Sequence, residues 1–139
     1  MEFEKAIYLK KGIYQNNRAI FIIDTNYIKD LTEQRSSLFT DRLLSVIMET
    51  LEATKINNKN DVIIYFNVSN ISNIKYKKKY VINLIRLLTN LFPYCLYKLY
   101  IINTSKLFNR LYNLIIPFIH KETRARIEII NKDYKTISI

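Results

Sequence analysis

The most constraining stretch of the chain is Asp61 to Asn67, Asp-Val-Ile-Ile-Tyr-Phe-Asn, in which every interior position is apolar. A strand with one wet face alternates apolar and polar residues, so an unbroken run belongs to a strand covered on both faces, the setting of a central parallel strand. Parallel neighbours need a crossover of a dozen or more residues, usually a helix. The flanking sequence supplies such helices. From a Thr40 N-cap with Asp41 in the first turn, Leu44, Ile47, Met48 and Leu51 recur at helical spacing until Asn57-Asn58, with Glu49 and Glu52 off that face. A second helix runs from Lys75 to Phe92 with Val81, Leu84, Ile85, Leu88 and Phe92 on one face, and Pro93 stops it. A third begins at Thr104 or Ser105 and reaches Ile119. It carries two apolar stripes, Leu107-Leu111-Leu114-Phe118 and Phe108-Tyr112-Ile115-Ile119, where packing on a sheet needs only one.

Further strands are expected at Glu4–Leu9 and Arg18–Asp24, around a turn from Lys11-Gly12 to Asn17, and at Tyr97–Asn103 and Ile127–Ile130. Asn131 to Ile139 is too short to add much. Strands and helices in this alternation predict an α/β fold, a largely parallel sheet with helices packed on it. With 139 residues the expectation is one domain over 1–139.

What the chain lacks narrows its chemistry. Its one glycine, Gly12, lies between no strand and helix, so neither a P-loop nor a dinucleotide fingerprint can form, and no cofactor is expected. One cysteine, Cys95, and one histidine, His120, make no disulfide, zinc cluster or nucleophile–histidine pair; they are expected as a small buried hydrophobe and a surface residue. No residues stand out for catalysis, so an enzyme is not expected. The longest apolar run, Leu114–Ile119, is too short to span a bilayer, and Met-Glu-Phe-Glu-Lys lacks signal-peptide order. The expected location is cytoplasmic and peripheral at membranes.

The formal net charge is +10, and Val62 to Lys121 holds nine basic residues with no Asp or Glu. Lys75, Lys77, Lys78 and Lys79 gather at the expected start of the second helix, where positive charge opposes the macrodipole and costs stability. A role outside folding follows: contact with an anionic membrane surface, at about 1 kcal/mol per lysine. Nucleic acid would suit the same charge, but no recognition motif accompanies it.

From Phe92 onward the residues resemble a known family. Phe92-Pro93, Leu99-Tyr100-Ile101-Ile102-Asn103, Leu107-Phe108, Pro117-Phe118-Ile119 and the Thr-containing turn Lys121 to Ile127 are similar to the CRAL-TRIO lipid-binding domain of phosphatidylinositol and tocopherol transfer proteins. Weaker likeness reaches back to Asn17-Arg18-Ala19-Ile20 and Phe66 to Asn70. The resemblance implies a CRAL-TRIO-like core without the family's N-terminal helical domain. It also implies a phospholipid, phosphoinositides included, or another hydrophobic ligand held between the sheet and a gate helix at 105–119, and presented or transferred at anionic membranes without covalent chemistry. Continuous apolar runs do not reveal which strand parity faces inward. The expected lining is Ile20, Ile22, Ile64, Phe66, Tyr100 and Ile102, with Leu107, Phe108, Leu111, Ile115 and Phe118 from the gate. The alternative is an adaptor, like the divergent branch in Rho GTPase-activating proteins, whose apolar surface binds a protein partner or a second copy without lipid.

Overall fold

In the computed structural model, Asn16 and Asn17 close a hairpin between β1 (Ile7–Gln15) and β2 (Arg18–Asp24), both at positive φ (49° and 66°). Asparagine is the side-chain-bearing residue that best accepts this left-handed pair, the hallmark of a tight primed turn. The described residues are 3–130, without the Lys78 side chain; the segment Asn131–Ile139 lies outside them. The expected first strand and turn are therefore corrected. β1 continues to Gln15 because the chain absorbs Gly12, at φ +75°, in an irregularity between Leu9 and Tyr14 instead of turning there.

After a 3-10 turn (Thr25–Tyr27) and the short β3 (Asp30–Leu31) comes α1 (Glu33–Lys55), which starts well before Thr40. Its buried face is Phe39, Leu43, Val46, Ile47, Thr50 and Thr54, rotated from the expected one, and Met48 is 69% exposed. Two threonines disguised that face as polar. Thr50 Oγ1 donates to the Val46 carbonyl (2.6 Å), while Thr54 Oγ1 accepts from the Ala19 amide (2.9 Å) and ties the end of α1 to β2. Replacing Thr54 by valine keeps its shape but strands that amide. A loss of about 1–3 kcal/mol in urea unfolding is expected; unchanged stability would contradict the tie.

β4 (Val62–Asn67) leads through a 3-10 turn (Ile71–Asn73) to β5 (Lys75–Tyr76), which pairs with β3, and then to α2 (Lys78–Cys95). Lys75 and Tyr76 are thus strand rather than helix, and Pro93 sits in the last turn of α2 instead of ending it. β6 (Leu96–Ile102) precedes α3 (Lys106–Ile115), whose cap Ser105 accepts from the Phe108 amide (3.1 Å). The expected helix to Ile119 breaks: Pro117 lacks an amide hydrogen, and the chain tightens into a 3-10 turn (Ile116–Phe118) before α4 (Lys121–Arg124) and β7 (Ile127–Ile130).

The five-stranded sheet has the order β1-β2-β4-β6-β7, parallel throughout except for edge strand β1. Register assigns its faces. The rows Phe21↔Ile64↔Leu99 and Ile23↔Phe66↔Ile101 lie under the helices; Phe39, Leu43, Val46, Ile47 and Phe92 share a packed cluster with all of these but Ile101, which packs with Val68 and Phe108. The rows Ile20↔Ile63 and Ile22↔Tyr65↔Tyr100 form the other face, where Tyr8, Ile13 and Tyr97 pack beside them.

Candidate functional site

Between the helix-bearing face of the sheet and the helices lies a cavity of about 310 Å³. Its floor is Ile23, Ile64, Phe66, Leu99 and Ile101. α1 contributes Phe39 and Leu43, and α2 contributes Val81, Leu84, Ile85, Leu88, Thr89 and Phe92. Phe108, Leu111, Tyr112 and Ile115 from α3 face them, and Ile119, Thr123 and Ile127 follow. The inner wall of Phe39, Leu43, Ile64 and Phe92 is buried, whereas Val81, Leu84, Ile85 and Leu88 on α2 and Leu111, Tyr112 and Ile115 on α3 stay half-buried. Full burial of such a side chain is worth about 1.5–3 kcal/mol. Leaving seven of them half-covered around one space forfeits part of that, and makes this the natural seat for an apolar guest.

No charged side chain lines the cavity among the described residues. Thr25 Oγ1 donates to the Asn67 carbonyl (2.9 Å) and accepts from the Asn70 amide (3.0 Å); Thr89 Oγ1 donates to the Ile85 carbonyl (2.7 Å). Burial pushes the Tyr112 phenol up, with Arg124 pulling the other way, so this ring stays neutral at physiological pH. Thr123 differs from the other lining hydroxyls. It is 2% exposed, and its Oγ1 has no hydrogen-bond partner among the described residues. Buried hydroxyls are normally bonded, and an orphan costs about 1–3 kcal/mol, so this group has capacity to spare. Sequence reasoning passed over it, although the Thr-containing turn into the last strand was one of the matching motifs.

Ile64, Phe66, Phe108, Leu111 and Ile115 of the expected lining come together on the cavity. The others do not. Ile20, Ile22 and Tyr100 belong to the opposite face, where the Tyr100 ring lies 4.9 Å from that of Tyr65, and Ile102 shares Tyr100's parity and is buried outside the lining. Strand alternation makes this correction, since Phe21, Ile23, Leu99 and Ile101 hold the inward parity in β2 and β6. Leu107 and Phe118 are also corrected: they point outward with Leu114, at 42%, 78% and 70% exposure. The stripe Phe108-Tyr112-Ile115-Ile119 therefore faces the cavity, while the other is split, with Leu111 inside and Leu107, Leu114 and Phe118 facing away.

The lysines spread over more than one element. Lys75 is in β5, Lys77 precedes α2, and only Lys78 and Lys79 are in the first turn of the helix, so the macrodipole argument applies to those two alone. Lys75, Lys77 and Lys79 are exposed; the first two flank Tyr76, a residue of the cavity lining, and Lys79 lies in the first turn of α2. The Lys79 ammonium lies 5.4 Å from the Tyr80 ring centroid, and the Lys75 amide donates to the Lys29 carbonyl (3.2 Å). Positive charge thus adjoins in the chain a residue of the cavity lining.

His120 caps α4, its Nδ1 accepting from the Glu122 amide (3.2 Å). Burial pushes the Cys95 thiol up, and Asp61 adds to the effect, so the reactive thiolate is scarce at neutral pH. Among the described residues no His, Cys, Asp and Glu cluster is arranged to hold a metal, and no helix is long and apolar enough to cross a membrane.

The chain matches the family model of the CRAL/TRIO domain over residues 3–138. Among solved structures it is similar to the crystal structure of Sfh5, with a TM-score of 0.60 and 15% sequence identity, covering 93% of this chain and 48% of that one. The chain thus spans about half the length of that protein. No curated protein sequence matches it.

Proposed function

The chain belongs to the CRAL/TRIO domain family, and from that premise we propose that the cavity binds one hydrophobic ligand, which the protein presents or transfers without covalent chemistry. Family membership supports lipid or hydrophobic-ligand binding as the general activity. The observation that carries the proposal for this chain is the pair of facing helices, α2 and α3, whose apolar sides border a shared space with no charge in its wall. Core packing alone would close that space.

Delivery takes place at an anionic membrane. Lys75 and Lys77 flank Tyr76 of the cavity lining, Lys79 is exposed in the first turn of α2, and Leu107, Leu114 and Phe118 give α3 and the turn after it an exposed apolar outer side. Lysines near an anionic surface contribute about 1 kcal/mol each, so replacing all three by alanine should weaken binding to phosphatidylserine-containing vesicles about 100-fold. Cosedimentation at low and raised salt measures this, with wild-type binding falling as salt rises. Equal binding by the variant, or binding indifferent to salt, would contradict the electrostatic docking.

A second reading rests on the same outward side chains. An adaptor would cover Leu107, Leu114 and Phe118 with a protein partner or a second copy and carry no lipid. Sedimentation velocity over a hundredfold concentration range separates the two, since only the second reading expects a concentration-dependent dimer.

A further inference from the structure

We infer that the ligand enters past α2, not α3: the first half of α2 and β5 before it form a flap, latched by the pairing of β5 with β3 and hinged in the turn that ends at Pro93. This rests on the cavity's being the ligand site. Packing is the first argument. Among the described side chains of the 18-residue α2, only Phe92 near its C-terminal end is buried. Every side chain of residues 80–91 is at least partly exposed, and the closest packing of the helix is on α1 and α4, with the cavity between it and the sheet. Helices in proteins are held mainly by burial of an apolar face, so the part of α2 ahead of Phe92 is weakly held. α3 is better seated. Phe108 is 7% exposed and packs with Val68 and Ile101, its ring stacks 6.0 Å from that of Tyr112, and Ser105 caps the first turn.

The second argument is the free end of the flap. Lys77 makes no side-chain cap bond, and the first turn, Lys78-Lys79-Tyr80-Val81, has no acid to complement the macrodipole. This end is held by two residues of strand: Lys75 and Tyr76 pair with Asp30 and Leu31, and the Lys75 amide donates to the Lys29 carbonyl (3.2 Å). β3 is the fixed side of that latch, because Asp30 is ion-paired with Arg35 of α1 (2.9 Å) and accepts from Thr32 Oγ1 (3.3 Å). Tyr80 adds a second tie, its phenol pushed up by burial and then by the Glu33 carboxylate beside it on α1. Leu31 and Tyr76 both line the cavity, so parting the two strands opens its wall. The third argument is the hinge. Pro93 has no amide hydrogen for the Thr89 carbonyl, and Thr89 Oγ1 bonds back to the Ile85 carbonyl (2.7 Å), both perturbations that bend helices. They fall between the exposed part of α2 and its buried anchor.

Asp30→Cys with Lys75→Cys, in a Cys95→Ser background, closes the latch by a disulfide outside the cavity lining. Paired strands lie about 4.8 Å apart, within reach of such a bond. Stopped-flow fluorescence follows uptake of N-phenyl-1-naphthylamine, an uncharged apolar probe, by the oxidised and reduced forms of that one variant. Uptake should be at least about tenfold slower in the oxidised form and recover on reduction, whereas equal rates would overturn the flap. Hydrogen exchange of the unaltered, unliganded chain gives a second reading that needs no variant. Amides of residues 82–88 should exchange at least about tenfold faster than those of residues 110–115, and equal or reversed rates would overturn the flap. A probe that binds neither form would overturn the ligand-site reading instead, and the exchange rates then decide the flap alone.

Discussion

Leu43→Ala should cost about 2–5 kcal/mol of stability and lengthen the chain that the cavity accepts. Leu43 is 1% exposed, on the buried face of α1, and forms part of the inner cavity wall with Phe39 and Phe92. Truncation removes its transfer free energy and adds a void. The neighbouring cavity prevents the surroundings from collapsing onto the gap, which places the cost toward the upper end of the range. Urea unfolding should show a lower midpoint at an unchanged slope, the mark of lost stability without a change in the folded surface. In a series of straight-chain alcohols the tightest binder should move to a longer homologue, because the tail gains the space that the side chain gave up. A loss below about 1 kcal/mol with the same preferred length would mean that Leu43 is not a wall of the site.

Thr123→Val should act in the opposite direction on stability. Valine has the shape of threonine without the hydroxyl that is buried and unpartnered among the described residues, so the unliganded protein should gain about 1–3 kcal/mol and unfold several degrees higher. Affinity for a straight-chain alcohol such as dodecanol should nevertheless fall, by up to about tenfold for the loss of one neutral hydrogen bond. A residue that only packs would not raise stability and lower affinity at once. Reduced stability in the variant would show that Thr123 Oγ1 is bonded in solution, and would remove it from the site.

Much of this was legible in the residues, for physical reasons that also set the limits. The run Val62–Phe66 forms a central parallel strand as its continuous apolarity requires, whereas the helix expected to reach Ile119 gives way at Pro117. Parity was not legible for the same reason that the strand was. With Ile20, Phe21, Ile22 and Ile23 all apolar, only pairing with β4 shows that Phe21 and Ile23 face the helices. The face of α1 was hidden by chemistry, since Thr50 and Thr54 look polar to a periodicity argument and are buried because each satisfies a backbone partner. In α3 the doubled stripe marked something beyond core packing, but the division between cavity and exterior splits the expected stripe, with Leu111 inside and Leu107, Leu114 and Phe118 outside. Thr123 could not be singled out from sequence at all, because a missing hydrogen bond is a property of surroundings and not of a residue type.

Native mass spectrometry of the intact chain, purified without detergent from eukaryotic cells and followed by organic extraction of the same sample, tests the central claim most directly. The predicted result is a monomer heavier than the polypeptide by one hydrophobic molecule, released on extraction as a lipid or similar compound. A polypeptide at its bare mass with no extractable lipid, above all as a concentration-dependent dimer that protects Leu107, Leu114 and Phe118, would contradict the account and assign the exposed apolar side of α3 to a protein partner.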